Sequence, residues 1–201
     1  GKPPPGTADP FALRRACLGI IRVVLGKGWR VSLTGLVDAA MEQHYERLHK
    51  LDAEREAAEP PAAGPVPDRK KKKPEHVGRT DATKQVLEFF RGRLENFWKD
   101  AYPVDAIDAV LAAGFDDVTA AHARLVAVAD LKKRADFEAV ATAFGRASNI
   151  IEKQAKDLVS GPIDPALFAD PSEGTLHDAS TAAQQLVDAA LKSGDYAAAL
   201  N

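Results

Sequence analysis

The sequence predicts an all-α fold, a helical bundle, on three observations. Apolar residues recur at three- and four-residue steps through most of the chain, the period of a helix with one buried face. Alanine is plentiful, aromatics make up only 6% of the residues and β-branched runs are short, a composition that favours helices over strands. Asp-Pro pairs and isolated glycines fall where the apolar stretches start and stop. With 201 residues and 45% hydrophobic content, there is apolar surface enough for a core, in one domain or one domain plus an appendage.

Residues 1–8 read as a flexible segment without a signal-peptide core. The first residue is Gly1 rather than Met, as expected of an excised fragment. Asp9-Pro10 then opens the first helix, because Asp caps first-turn amides and Pro suits the first helical position. Leu13, Ala16, Cys17, Ile20 and Val24 form its predicted buried stripe, ended near Gly26-Lys27-Gly28. Arg15 and Arg22, seven apart, share another face with Arg14 beside it; they are a phosphate-binding edge or the solvated side. Cys17 is the only cysteine, so no internal disulfide or thiolate metal site can form, and it reads as an inert buried thiol.

Ser32 or Thr34 starts the second helix, with Leu33, Leu36, Val37, Ala40, His44, Leu48 and Leu51 expected inward. His44 reads as a core-edge histidine, and His49, five residues on, lies on a different face, which argues against a metal pair. From 57 to 78 the pattern stops. The segment is rich in Pro and Ala, then carries five basic residues, Arg69 to Lys73. It reads as a flexible loop whose cations either attract a polyanion or simply solubilise a loop tip.

Asp81 or Thr83 begins the third helix, with Val86, Leu87, Phe90, Leu94, Phe97 and Ala101 inward. Arg91, Arg93, Trp98 and Lys99 are left for other faces. Trp98 is either an exposed indole able to stack on a base or buried at a helix junction with Tyr102. After Tyr102-Pro103, a short helix over 104–113 turns Ile107, Val110 and Leu111 inward and closes at Gly114. Asp116 or Asp117 caps the next helix, where Val118, Ala121, Leu125 and Val128 pack. It runs out at Lys132-Lys133-Arg134, cations that suit the negative end of the helix dipole and that also stand where a phosphate could be touched.

The stretch from Ala139 to Lys156 is expected to organise the fold. Phe137, Val140, Ala141, Phe144, Ala147, Ile151 and Leu158 form an apolar stripe expected to face the core. Roughly half a revolution away lie Thr142, Arg146, Asn149 and Lys153, a polar row for phosphate or a base edge, or a solvated face. After Gly161-Pro162, Leu167 and Phe168 are expected to plug the bundle. Asp170-Pro171 repeats the cap-plus-proline start, and Leu176, Ala179, Ala183, Leu186, Val187 and Ala190 line that helix as far as Gly194. Asp195 begins another.

Twenty-seven Lys and Arg against 29 Asp and Glu give a formal charge of −2, so any polyanion has to be met by a local patch. No apolar run reaches the ~18 residues of a membrane span. There is no GxxxxGK[ST] loop and no GxGxxG after a strand. His177-Asp178 lacks the further histidines and aspartate that a metal phosphohydrolase site needs. A metal site and a catalytic centre are both unexpected.

Four stretches, taken in order, resemble the C-terminal part of the beta subunit of the bacterial heterotetrameric glycyl-tRNA synthetase. They are DPFALRRACLGII from Asp9, YPVDAIDAVLAA from Tyr102 with ARLVAVA from Ala123, RASNII from Arg146, and IDPALF from Ile163. The resemblance spans about Asp9 to Asn201. It implies a DALR-type anticodon-binding domain over 9–201, all-α, that holds the anticodon end of a glycine tRNA. A separate alpha subunit would then activate glycine with ATP and Mg, in a cytoplasmic alpha2beta2 ligase, and this chain would carry no cofactor and no aminoacylation site. Arg146, Asn149 and Lys153 are the leading tRNA-binding candidates. Arg124 and Lys132, Lys133 and Arg134 follow, then Arg14, Arg15 and Arg22. The segment around 57–76 looks like an insertion, and the family's continuation of the VDAFFDKVMVM type is missing from the end. The alternatives are a helical protein-interaction module docking the alpha subunit or the rest of beta, and the equivalent domain of an arginyl-type synthetase. The DPFALRR and RASNII wording argues against the latter.

Overall fold

The computed structural model describes residues 9, 12–58, 78–154, 161 and 163–200, side chains at 55, 56, 58, 79 and 154 excepted. Among these residues it holds eight α-helices and one 3-10 turn and no strand, as the helical period predicts. They gather into two compact units, one ending at Ala121 and one starting at His122.

The first unit contains α1 (Leu13–Lys27), α2 (Leu33–Ala58), α3 (Arg79–Trp98), α4 (Val104–Ala113) and the opening turn of α5 (Val118–Leu131). Its centre is α3, which packs against α1, α2 and α4. Phe90, Leu94 and Trp98 are buried along it. The expected Val86, Leu87 and Phe97 are half-buried at its edges, and Ala101, past the helix end, is exposed. Trp98 is therefore a core residue rather than a stacking platform, and its carbonyl accepts the Tyr102 amide at 3.0 Å. Thr83 is buried too, because its hydroxyl donates to Asp38 Oδ1 on α2 at 3.0 Å, which offsets the cost of removing the hydroxyl from water.

At the start of α1 the structure corrects the expectation. The helix begins at Leu13 behind Ala12, a non-glycine residue at φ 55; Pro10 lies outside the described residues. Asp9 still serves the first turn from a distance, its two carboxylate oxygens accepting from the Arg14 and Arg15 amides at 3.3 and 3.4 Å. The buried stripe is Cys17, Ile21 and Val24. Leu13, Ala16 and Ile20 fall on its open flank, since at ~100° per residue they lie to one side of the sector that is covered. The C-terminal end is as read. Gly28 adopts φ 62, and the Gly28 and Trp29 amides close on the Leu25 and Val24 carbonyls, a pairing that requires a left-handed residue.

Ser32 caps α2, its hydroxyl accepting the Gly35 amide at 2.9 Å. Leu33 and Val37 are buried and Met41, Tyr45 and Leu48 half-buried, a stripe of nearly constant four-residue steps. Leu36, Ala40, His44 and Leu51 are exposed, against expectation. His44 is not a core-edge residue; it is exposed, with its ring T-shaped to that of Tyr45, centroids 6.0 Å apart. Helix α2 continues through Ala58, so the expected loop cannot begin at 57, and residues 59–77 of it lie outside the described residues. Helix α4 buries Ile107, Val110 and Leu111 and closes at Gly114, φ 118, as predicted, and it buries Ala106 as well.

Between α4 and α5 two consecutive aspartates divide the capping work. Asp117 accepts the Ala120 amide at 2.8 Å and starts α5. Asp116 instead reaches the distant N-terminus of α2, its Oδ1 accepting the Thr34 amide at 2.7 Å and its carbonyl the Leu33 amide at 2.8 Å. Arg30 pairs with Asp117, and the Thr119 hydroxyl donates to the Trp29 carbonyl at 2.8 Å.

The second unit holds the rest of α5, α6 (Phe137–Gln154), a 3-10 turn (Pro165–Leu167), α7 (Pro171–Ser193) and α8 (Tyr196–Ala199). Leu125, Ala127 and Ala129 are buried on α5, with Val128 half-buried. Asp170 and Glu173 form a capping box at the start of α7. Pro171 is its first residue and Gly194 (φ 75) its stop, both as the sequence indicates. The expected lining of α7 is not. Leu176, Ala179, Ala183 and Leu186 are exposed, and only Ala190 is buried with Val187 half-buried. Leu167 does not plug a core either; it is 80% exposed, while Phe168 is half-buried against His177, centroids 5.6 Å apart.

The largest correction concerns α6. Val140, Ala141, Phe144, Ala147 and Ile151 are exposed, Phe144 by 74%; Leu158 lies outside the described residues. The shielded direction is that of Phe137, Gly145 and Ser148. At ~100° per residue this lies roughly a sixth of a turn from the apolar stripe and a third of a turn from the polar row. Among the described residues α6 packs extensively on no other helix, and the organising role belongs to α3.

Two outcomes follow for the first unit. Its hydrogen bonds, first to Thr34, hold the Asp116 carboxyl below the ordinary aspartate range. Its contribution is therefore present above about pH 4, the unfolded value, and is lost as pH falls through the lower folded value. Asp116→Ala is expected to cost about 1 kcal/mol at neutral pH, read as a lower urea midpoint, with the penalty shrinking in acid. The Cys17 thiol is pushed up to about 12, chiefly by burial. A thiol reagent at pH 8 should label it only after unfolding.

Candidate nucleic-acid interface

Helix α6 carries the leading candidates in the open. Arg146, Asn149 and Lys153 are all exposed, and among the described residues none of the three is held by a hydrogen bond or ion pair. Their spacing of three and four residues aligns them along one face. From Arg146 to Lys153 the row is about 10 Å long at the helical rise of ~1.5 Å per residue. Thr142 extends the same face and is also exposed.

The cations after α5 are placed differently. Lys133 pairs with Asp130 at 2.7 Å. Arg134 grips Asp136 through two parallel bonds, Nε to Oδ1 at 2.9 Å and Nη2 to Oδ2 at 2.7 Å. That fork raises the guanidinium's pKa and lowers that of the carboxyl, principally through the hydrogen bond itself. A phosphate would have to displace Asp136 to take the fork over, so Arg134 is a weaker offer than its exposure implies. Lys132 is half-buried. Arg124 is half-buried as well, its guanidinium 5.7 Å from the centre of the Tyr196 ring, and so ties α5 to α8.

In the first unit Arg15 lies 3.6 Å from Asp9 with its side chain 76% exposed. Arg14 is half-buried and Arg22 exposed. The sequence thus placed three arginines on one helix correctly, and the structure separates them by environment. Spacing leaves Arg93 to a face other than the inward one; it is half-buried with its guanidinium 5.3 Å from the centre of the Phe89 ring. The signal was available, since an aromatic four residues before an arginine on a helix brings the two together.

Other chemistry finds little support. A shallow cleft of about 180 Å³ lined by Glu95, Asn96, Lys99, Val104, Ile107 and Asp108 is open to solvent. Among the described residues no three His, Cys, Asp or Glu side chains converge as metal ligands. His177 of the His-Asp dipeptide rests against Phe168. No described helix is long and apolar enough to cross a membrane.

Known proteins place this geometry in a context. A family model described as the glycyl-tRNA synthetase beta subunit matches residues 1–112. The glycine–tRNA ligase beta subunit of Myxococcus xanthus is 42% identical over 200 residues, covering 100% of this chain and 25% of the relative. The corresponding proteins of Geobacter sulfurreducens and an Anaeromyxobacter species are 43% and 40% identical, over 98% and 100% of this chain. The chain spans about a quarter of the length of these relatives.

Proposed function

The chain belongs to the glycyl-tRNA synthetase beta-subunit family, and from that premise we propose that it is a tRNA-binding region of a glycine–tRNA ligase. In this reading it is a DALR-type domain that holds the anticodon end of a glycine tRNA in a cytoplasmic alpha2beta2 enzyme. Glycine activation with ATP and Mg takes place on the alpha subunit, and the residues of this chain bind and position.

The observation that carries the reading is the α6 row. Arg146, Asn149 and Lys153 are exposed and aligned, while Arg134, Lys133 and Arg15 already face carboxylates. Anticodon bases are unstacked in a loop, so a protein reads them through base edges and fixes the strand through phosphates. Asn149, between two cations, has the amide that can pair with a base edge. Arg146 and Lys153 flank it for the backbone, and a helix holds all three at fixed spacing.

A second reading has its own support. Phe144, Ile150 and Ile151 on α6 and Leu176 and Leu186 on α7 are each more than half exposed. Apolar surface of this extent marks contact with another protein surface, here the alpha subunit or the rest of beta. Salt separates the two readings, because phosphate binding weakens steeply through counterion release and an apolar contact does not.

The test is binding of the chain to a glycine tRNA anticodon stem-loop at two salt concentrations, beside a loop with altered anticodon bases. Preference for the native loop is expected. Asn149→Ala should cost about 1–3 kcal/mol and relax the preference, while Arg146→Ala should weaken both loops and flatten the salt dependence. Unchanged binding by a folded Arg146→Ala chain would remove α6 from the interface.

A further inference from the structure

Two of the described arginines, Arg93 and Arg124, lie with the guanidinium over an aromatic ring. Arg15, Arg30, Arg91 and Arg134 each face a carboxylate, while Arg22 and Arg146 are exposed to water. Arg93 is half-buried on α3 with its guanidinium over the Phe89 ring. Its Nε is shielded from solvent without a hydrogen-bond acceptor, and no carboxylate among the described residues pairs with it. Its charge lies close enough to Cys17, on the neighbouring α1, to pull against the burial that raises that thiol's pKa.

A ring face compensates a guanidinium for lost water only in part, and an N–H withdrawn from solvent without an acceptor costs free energy. The same stacking holds the planar fork in one orientation, which lowers the entropy lost when an oxyanion is gripped. An anion supplied from outside the chain would provide both the missing acceptor and the missing counter-charge. Arg14, one helical turn before Cys17, adds positive charge to the helix that packs on α3. That charge favours a strongly anionic group.

We propose that Arg93 is an anion anchor at the seam of α1 and α3, that the group it takes is a phosphate, and that this phosphate belongs to an RNA backbone. The last part rests on the tRNA-binding reading above. Arg93 thereby adds to the first unit a contact that α6 does not supply, one that fixes the strand without reading its sequence.

The experiment follows the arginine Nε–H signals of the unmodified full chain by nitrogen-15 NMR. Inorganic phosphate is titrated against chloride at constant ionic strength. The Arg93 signal should move with phosphate and not with chloride, and an unmoved signal overturns the anchor. In parallel, glycine tRNA binding is measured across salt for the unmodified chain, Arg93→Gln and Arg93→Lys. Arg93→Gln should flatten the logarithmic salt slope by about one and leave discrimination between anticodon loops unchanged. Arg93→Lys, which keeps the charge, should restore most of the slope. A phosphate-dependent signal with an unchanged slope in folded Arg93→Gln overturns the RNA assignment and leaves a site for free phosphate. Absence of tRNA binding by the unmodified chain overturns that assignment together with the function it rests on, while the phosphate titration still decides the anchor.

Discussion

The first unit depends on two neighbouring carboxylates. Asp116 and Asp117 are adjacent in sequence and serve helices far apart in it, the N-terminus of α2 and that of α5. Each exposed helix start presents amides without intrahelical partners. One short loop answers both, and Arg30 and Thr119 fasten the turn between α1 and α2 to the same place. Four connections therefore converge where the chain would otherwise have only two turns. The packing of α3 against α1, α2 and α4 then has fixed helix ends to work from. A protonated Asp116 would lose much of its grip on the α2 start, so this joint is electrostatic as much as geometric.

What the sequence made legible was mostly local. Gly28, Gly114 and Gly194 stop helices at positive φ. Asp170 and Pro171 start one, and Ile107, Val110 and Leu111 of α4 are buried as their spacing indicates. Each of these depends on residues within one turn. The start of α1 was misplaced because Asp9 caps across an Ala12 in the left-handed region, and nothing in an alanine announces that conformation. The role of Asp116 was hidden for a different reason. The sequence allowed either aspartate to cap the following helix, and only the fold brings the start of α2 within reach of the spare one.

Burial was less legible than helicity, and α6 explains why. Periodicity identifies a face that is apolar; it does not identify a neighbour to cover that face. Helix α3 has three neighbours and buries a stripe that includes Trp98, which simple spacing assigned elsewhere. Helix α6 has a cleaner apolar stripe and leaves it open, shielded instead along Phe137, Gly145 and Ser148. The same holds for Leu176 and Leu186 of α7 and for Leu167. In the first unit, where the elements pack on a common helix, the errors were shifts of one or two residues around a helix. In the second, whole stripes changed environment.

The candidate site shows the same limit from the side of charge. Net charge does not decide whether a chain can meet a polyanion, because one of formal charge −2 can still hold an accessible cation wherever no carboxylate answers it. Spacing found the α6 row, and the sequence offered Arg134 after it only by its place at a helix end; the Asp136 fork sets the two apart. The useful distinction is therefore between cations whose charge is answered inside the chain and those left to water or to an incoming anion. By that measure Arg146 and Lys153 stand ready at little cost, since water solvates them until they are used. Arg93 is poised differently, already partly withdrawn from water, so an arriving phosphate would repay a desolvation that folding has incurred.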